Sequence, residues 1–455
     1  MRPNIIFYFS DQQRADTCGC YGQPLPVTPN LDALAGQGVV FEHAYSAQPV
    51  CGPCRALFQT GRYPTELGCF RNDKALPPDV KTLADYFNEA GYETAYVGKW
   101  HLASDDGLAD PPNVDYTVTA IPPERRGGYK DFWRASDILE FTSHGYDGYV
   151  FDGQGRRCDF KGYRADCITD FALEYLDKVS GEKPFFMTIS HIEPHHQNDR
   201  SCYEGPEGSK ERFGDYVLPG DLEALGGNAR EMYPDYLGCC RSLDDNLGRV
   251  IDKLREKGIL ENTVIVYASD HGSHFLTRNQ DAHRNGYDDY KRSCHSSALH
   301  VPLVICGPGF SGGKRVKELV STASLPKTFL AMASVDVGGA MIGEDLKTVA
   351  DGKTAGRENV IFAQISESRV GRCVRTEDWL YSVYAPGKDG NIWPDSDLYA
   401  DDFLYDLRKD PLELNNLIDD PAYASVRDSM AELLKKQMEK AGETVPVILR
   451  SGEYQ

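Results

Sequence analysis

Asn4-Ile5-Ile6-Phe7-Tyr8-Phe9-Ser10, followed by Asp11-Gln12-Gln13, is the stretch whose reading decides the fold. A continuous β-rich run without polar alternation predicts a strand buried on both faces, and such strands belong to parallel sheets covered by helices. The polar residues stand at its carboxyl end, where open α/β sheets place their ligands.

The same pattern recurs at Glu93 to Val97, Pro184 to Ser190, Thr263 to Ser269 and Val301 to Cys306, each followed by polar residues able to do chemistry. Between these runs lie helical patterns at Asn30 to Gln37, Thr82 to Ala90, Arg164 to Val179, Asp235 to Lys257 and Ser324 to Ser334. Strands alternating with helices predict an α/β fold with a mixed, mainly parallel sheet between helical layers. Residues 102–162 and 196–231 are rich in Gly, Pro, Asp and aromatics and show little periodicity, so both are expected to be long loops at the active face. From about residue 356 the texture changes to short strands at Asn359 to Ser366, Arg369 to Arg375, Trp379 to Tyr384 and Asp402 to Asp406, then a helix over Ala422 to Ala441. The expected division is a catalytic domain over 1–355 and a small α+β C-terminal subdomain over 356–455.

The 455 residues suffice for a sizeable core, and 41% hydrophobic with 26% charged residues excludes collagen, low complexity and wholesale disorder. Forty-nine Lys and Arg against 69 Asp and Glu give a net charge of −20, which repels phosphate backbones, so no nucleic acid partner is expected. An anionic substrate would need a locally basic pocket. No apolar run approaches the roughly 20 residues needed to span a bilayer, so no membrane partner is expected. The first apolar stretch is too short for a secretory core, which with Met1 points to the cytoplasm. Thirteen irregularly spaced cysteines read as free thiols in a reducing compartment.

The most specific segment is Pro49-Val50-Cys51-Gly52-Pro53-Cys54-Arg55-Ala56-Leu57-Phe58-Gln59-Thr60-Gly61-Arg62. Cys51 and Cys54 alone could be a redox pair, half a zinc site or two buried thiols. The frame Cys-x-Pro-x-Arg followed by Thr-Gly-Arg resembles the signature of the type I, formylglycine-dependent sulfatases of the alkaline-phosphatase-like superfamily. The chemistry of a sulfate ester makes sense of such a site. It offers no easily attacked carbonyl, so it needs an oxygen nucleophile that can be shed afterwards. A geminal diol does this, because one hydroxyl attacks sulfur and the other expels sulfate by re-forming an aldehyde. Arg55, one helical turn on, can hold that hydroxyl.

The resemblance implies further roles. Cys51 would be oxidised to formylglycine by a formylglycine-generating or anaerobic sulfatase-maturating enzyme. Asp11, Gln12, residue 51, Asp270 and His271 would bind one divalent cation, taken as Ca²⁺ with Mg²⁺ or Mn²⁺ as alternatives. Gly98-Lys99-Trp100-His101 is similar to the family's Gly-Lys-x-His motif, which gives Lys99 to the sulfate and His101 to the nucleophile. Glu193-Pro194-His195-His196 resembles its Pro-His motif, with His195 as the group that protonates the leaving alkoxide. Tyr290-Lys291-Arg292 stands at the place of the last sulfate-binding Lys. His196, His295 and Arg292 are taken as substrate-binding residues. The family often has Asp at position 12, Asn at 271 and an acidic residue near 295. The variants here also look like phosphonate monoester hydrolases and choline sulfatases.

The implied activity is hydrolysis of a sulfate monoester. The favoured substrate is a small sulfated saccharide such as a 6- or 3-sulfated N-acetylglucosamine, because the two long loops offer Trp133, Asp105, Asp106, Asn113, His196, Asn198 and Arg200, with His295 and His300 nearby. Arylsulfatase, choline sulfatase and phosphonate monoester or phosphodiester hydrolase are the alternatives, and a homo-oligomer is left open.

Overall fold

Asn4–Ser10 is strand β1, and it lies in the middle of an eleven-stranded sheet. The structure, a computed structural model, describes residues 2–105, 114–278, 290–451 and 453. In chain order the other strands of this sheet are β2 (Val39–Tyr45), β3 (Glu93–Lys99), β4 (Phe132–Ser136), β5 (Ser143–His144), β6 (Asp147–Asp152), β7 (Arg157–Lys161), β8 (Phe185–Ser190), β9 (Thr263–Ser269), β10 (Leu303–Cys306) and β11 (Lys314–Ser321). They are ordered β11-β2-β10-β9-β1-β8-β3-β4-β6-β5, with β7 on β6. The run β9-β1-β8-β3-β4 is parallel throughout, and antiparallel pairing is confined to β10 and the β4-to-β7 end.

The alternation inside β1 shows why both faces must be covered. Ile5, Phe7 and Phe9 enter one core with Leu57, Phe58, Phe87 and Phe329. Ile6 and Tyr8 enter the other with Leu31, Ile168, Leu176, Leu247 and Val250. The first core is roofed by helices Cys51–Thr60, Leu83–Glu89 and Leu325–Met332, the second by Pro29–Gln37, Arg164–Lys178 and Ala229–Glu256. Burying each large apolar side chain contributes roughly 1.5–3 kcal/mol, so the sheet is held from both sides. Among the described residues no helix is long and apolar enough to cross a membrane.

A second, five-stranded sheet is built from β12 (Ile361–Ile365), β13 (Gly371–Arg375), β14 (Trp379–Tyr384), β15 (Leu398–Asp406) and β16 (Val447–Leu449). Met430, Leu434 and Met438 of helix Ala424–Lys440 recur at i, i+4, i+8 and bury against Val374 and Tyr381 of this sheet. The sheet leans on the segment before Cys51. Gln364 N donates to Ala47 O at 2.9 Å, and Gln48 Nε2 donates to Ser366 Oγ at 2.8 Å.

Two expectations need correction. Residues 102–162 are not one long loop, because β4 to β7 extend the sheet there; Gly-rich turns and short strands hide that pairing from any periodicity search. Residues 196–231 do stay largely irregular, with short helical turns, but the following helix begins at Ala229 and carries Pro234 near its start. Strands β2 and β11 had no counterpart in the reading of the sequence.

Candidate active site

Four adjacent parallel strands deliver side chains at their carboxyl ends. β9 leads into Asp270 and His271, β1 into Asp11 and Gln12, β8 into Glu193 and His195, and β3 ends at Lys99. Gly98 makes the last placement possible: its φ is +106°, and a Cβ there would sit 1.9 Å from Ser190 O. Helix Cys51–Thr60 points its first turn at the same spot, with all ten of its residues buried.

Cys51 is the meeting point. Its thiol lies 3.3 Å from Asp11 Oδ1 and 3.2 Å from His271 Nε2, and Lys291 Nζ approaches to 3.0 Å. Burial opposes ionisation of this thiol, but Lys291, then Lys99 and His271, outweigh it and hold its pKa well below that of an ordinary cysteine. Cys54, one turn on, donates instead to Asp270 O at 3.2 Å, and burial pushes its pKa up. The two thiols therefore differ in chemistry: Cys51 faces the cationic cluster and Cys54 a backbone carbonyl.

Arg55 and Lys99 converge on one carboxylate oxygen. Arg55 Nη2 donates to Asp11 Oδ2 at 2.9 Å and Lys99 Nζ donates to the same atom at 2.7 Å. Arg55 Nη1 also binds Lys99 O at 2.6 Å and Ser190 Oγ at 2.7 Å, locking the guanidinium between β3 and β8. These groups are 1% exposed or less. Removing one member of such a buried set typically costs about 3–5 kcal/mol.

Asp11, Cys51, Asp270 and His271 present ligand atoms within 4.8 Å of one another. Asp270 Oδ1 accepts from the Gln12 and His271 amides, while its buried Oδ2 has no hydrogen-bond partner. Burial and the neighbouring Asp11 carboxylate raise the pKa of Asp270. His271 Nδ1 faces Gly272 O at 3.0 Å, which turns Nε2 into the cluster, the usual way a backbone carbonyl orients a ligating imidazole. An orphaned buried carboxylate oxygen beside a second carboxylate and an aimed imidazole fits a divalent cation. Gln12 is adjacent, with φ +71°, but its side chain is held by Ser273 Oγ at 3.4 Å and by the His196 amide at 3.3 Å.

On the other side of Cys51, Lys291 Nζ donates to His195 Nε2 at 2.8 Å. His101, with φ +58°, is anchored by its amide on Asp137 O at 2.8 Å and contacts the Cys51 thiol. Four supporting residues escaped the reading of the sequence. Asp137 accepts from the amides of Leu102, Ala103 and Ser104 and so shapes the turn after His101. Glu140 brings Oε2 within 3.8 Å of His195 Nδ1 while Oε1 accepts from Asn198 N. Asn72 Oδ1 accepts from Gly52 N at 2.9 Å, holding the start of the nucleophile's helix, and Glu367 Oε1 in turn accepts from Asn72 N at 2.7 Å. No local motif signals them; only a lone carboxylate or amide in a polar loop stands at each position.

The proposed substrate-binding residues separate. Arg292 lies at the rim, paired with Glu367. His196 is buried, with Nδ1 3.0 Å from Asn198 Oδ1 and its ring stacked 4.4 Å from that of Tyr290. His295 is an interior residue, 1% exposed, with Ser293 Oγ at 2.6 Å and Tyr405 OH at 3.1 Å, so it fastens the small sheet instead of lining a mouth. His300 is partly exposed, donating to Glu42 O at 2.8 Å and stacked on Tyr45, so its ring is committed to packing. Trp133 packs into the core against Tyr96 and Trp100, which removes it as a stacking platform. Arg200 pairs with Glu204 at the surface. Asp106 and Asn113 lie outside the described residues.

Comparison with known proteins adds independent findings. The profile of the sulfatase family matches residues 3–335, and one described as N-sulphoglucosamine sulphohydrolase, C-terminal, matches residues 284–440. The uncharacterized sulfatase YidJ of Escherichia coli is 31% identical over 481 residues, an alignment covering 96% of this chain and 88% of the relative. The N-acetylglucosamine-6-O-sulfatase of Bacteroides thetaiotaomicron is 26% identical over 534 residues, covering 98% and 88%. A protein solved in complex with its substrate D-glucosamine-2-N,6-O-disulfate shares the fold with a TM-score of 0.76, at 23% identity and with 98% and 99% of the two chains covered.

Proposed function

The chain belongs to the sulfatase family and is a sulfuric ester hydrolase, and from that footing we propose that it removes sulfate from a carbohydrate, using formylglycine made from Cys51. The observation that carries the reading is the position of Cys51 between an orphaned-carboxylate cluster on one side and Lys291 with His195 on the other. Cys51 Sγ marks where the formylglycine side chain would lie. As its hydrate, that group would supply one hydroxyl to attack sulfur as the bond to the sugar oxygen breaks and a second whose collapse to the aldehyde expels sulfate, with water then restoring the hydrate. A cation held by Asp11, Asp270, His271 and residue 51 would supply fixed positive charge beside the sulfate oxygens. Hard oxygen ligands favour Ca²⁺, and the imidazole admits Mg²⁺ or Mn²⁺.

The remaining work belongs to side chains already in place. Lys99 and Lys291 are buried cations that would neutralise sulfate oxygens as the S–O bond breaks, while Arg55 fixes Asp11 and Lys99 beside residue 51. Lys291 now donates to His195 Nε2; when it turns to a sulfate oxygen, that nitrogen can carry a proton to the leaving sugar oxygen. His101, whose buried Nδ1 has no hydrogen-bond partner, takes the proton from residue 51 when sulfate departs. A saccharide with 6- or 3-sulfated N-acetylglucosamine is the favoured substrate, supported by the relative that acts on N-acetylglucosamine 6-sulfate.

Cys51 is 1% exposed inside a wholly buried helix, so the maturating enzyme must reach it before the chain folds. All thirteen cysteines are unpaired, which supports a cytoplasmic, reducing location; cell fractionation checks this. The test of function is turnover by protein co-expressed with a maturating enzyme, on sulfated sugars, aryl sulfates, choline sulfate and phosphonate monoesters, with peptide mass spectrometry at Cys51. Sulfated sugars should be turned over fastest, with residue 51 converted. Aryl sulfates or phosphonates far exceeding every sugar, or full activity with unmodified Cys51, would overturn the reading.

A further inference from the structure

Strand β12 ends at Ile365, and each of the next three residues makes a side-chain contact with the catalytic half of the chain. A continuing strand would send alternate side chains to opposite faces. Instead, Ser368 N donates to Ser366 O at 2.7 Å, closing a tight turn around Glu367 at φ +64°, a left-handed conformation that strains a residue with a side chain. Ser366 Oγ accepts from Gln48 Nε2 at 2.8 Å, three residues before Cys51. Ser368 Oγ donates to Arg292 O at 2.8 Å, fixing the backbone just after Lys291.

The Glu367 carboxylate, 9% exposed, divides its two oxygens between two parts of the site. Oε1 accepts from Asn72 N at 2.7 Å, and Asn72 Oδ1 accepts at 2.9 Å from Gly52 N, the amide that follows residue 51. Oε2 accepts from Arg292 Nε. Arg292 follows Lys291, whose Nζ stands 3.0 Å from Cys51 Sγ and 2.8 Å from His195 Nε2. One arm therefore ends on the nucleophile and the other on the pair that serves the leaving oxygen. With both oxygens engaged, the carboxylate acts through its neighbours and not on substrate. A strained turn over-determined by contacts at three consecutive residues holds such a group in place.

We propose that Glu367 is a positioning residue for sulfate transfer, setting residue 51 through Asn72 and Lys291 through Arg292, so that one carboxylate of the C-terminal sheet keeps attack and leaving-group protonation in register. This inference rests on the roles given above to residue 51, Lys291 and His195. The two arms predict different losses. Every ester must be attacked at sulfur, so disturbing the nucleophile slows all esters alike. Disturbing Lys291 and His195 slows those whose leaving oxygen needs a proton, whereas nitrophenolate departs without one.

The experiment measures kcat/KM, which covers the steps through S–O cleavage, for 6-sulfated N-acetylglucosamine, phenyl sulfate and 4-nitrophenyl sulfate. Conversion of residue 51 is matched between variants by peptide mass spectrometry. Asn72→Ala should slow all three esters by a common factor of about ten, while Arg292→Ala should slow the sugar and phenyl esters about tenfold more than the nitrophenyl ester. Glu367→Ala should show both losses at once, and adding Arg292→Ala to it should change little, because the two share an arm. Glu367→Gln, able to satisfy one arm at a time, should recover part of the loss. If Glu367→Ala does not fold, Asn72→Ala and Arg292→Ala, each cutting one arm, carry the same contrast. Equal slowing of all three esters by Arg292→Ala, or wild-type turnover of phenyl sulfate by Glu367→Ala, would overturn the inference while leaving the sulfatase site intact. A converted wild type that hydrolyses none of the three esters would overturn the reading of residue 51 as well.

Discussion

Alanine at position 98 should damage stability and turnover together. Gly98 sits at φ +106°, where an L side chain is strained by about 1–3 kcal/mol. The added Cβ would also stand 1.9 Å from Ser190 O, its partner in the β3–β8 register, so the strands must part by more than roughly 1 Å to reach ordinary contact. Parting them weakens neighbouring ladder hydrogen bonds, each contributing about 1 kcal/mol, which brings the cost to roughly 3–5 kcal/mol. The wedge falls where Arg55 Nη1 bridges Lys99 O and Ser190 Oγ. Misplacing a catalytic group by about 1 Å can cost on the order of 100-fold in rate. Thermal unfolding and kcat/KM on a sulfate ester check both effects. An alanine variant that melts with the wild type and keeps most of its turnover would refute the argument that this close approach sets the site.

Cys51→Ala should abolish sulfate hydrolysis, whereas Cys54→Ala, losing only a buried thiol against Asp270 O, should cost about 1–2 kcal/mol of stability and keep most activity; equal loss in both variants would contradict the separation of roles. Metal analysis should find one divalent ion per chain, and chelation should lower the melting temperature by an amount equivalent to about 2–3 kcal/mol at a cation concentration near 100 times its dissociation constant. Two tightly bound zinc ions would overturn that assignment. Burial lowers the pKa of His300 to about 3, against about 6.5 for an exposed imidazole, so its contribution to stability is complete above pH 6.5 and is lost as pH falls toward 3. His300→Gln should flatten the fall in denaturant midpoint between pH 6.5 and 4; an unchanged profile would show that other groups set it.

How far the sequence speaks depends on what each residue answers to. β1 and β9 were read to their last residue, because a strand buried on both faces is one unbroken apolar run between polar ends. Asp11, Asp270, Lys99 and Cys51 were singled out by the resemblance of their motifs to the family's, since an Asp or Lys at a strand end is by itself as well read as a cap or a solvated residue, and the fold gathers them. β4 to β7 were missed because short edge strands carry as much turn chemistry as strand signal. His295 and Trp133 misled because polar and aromatic residues in a region without periodicity look solvent-facing; only the packing shows them enclosed. Glu140, Asn72 and Glu367 were beyond reach because their partners lie 55, 20 and 295 or fewer positions away and are brought close by the sheet alone, as the pairs His195, Gly52 and Asn72 show.

The net charge of −20 and the basic site pull in opposite directions, and distance decides between them. At physiological salt the screening length is about 8 Å, so surface carboxylates farther than that from the mouth exert little force on an approaching sulfate. The buried cations are screened less, but Asp11 already takes up Arg55 and Lys99 at 2.9 and 2.7 Å, so little of their field extends outward. Long-range steering is therefore weak on both counts. Discrimination must come from contacts made after arrival, where Lys291, Arg292 and the Glu367 turn stand.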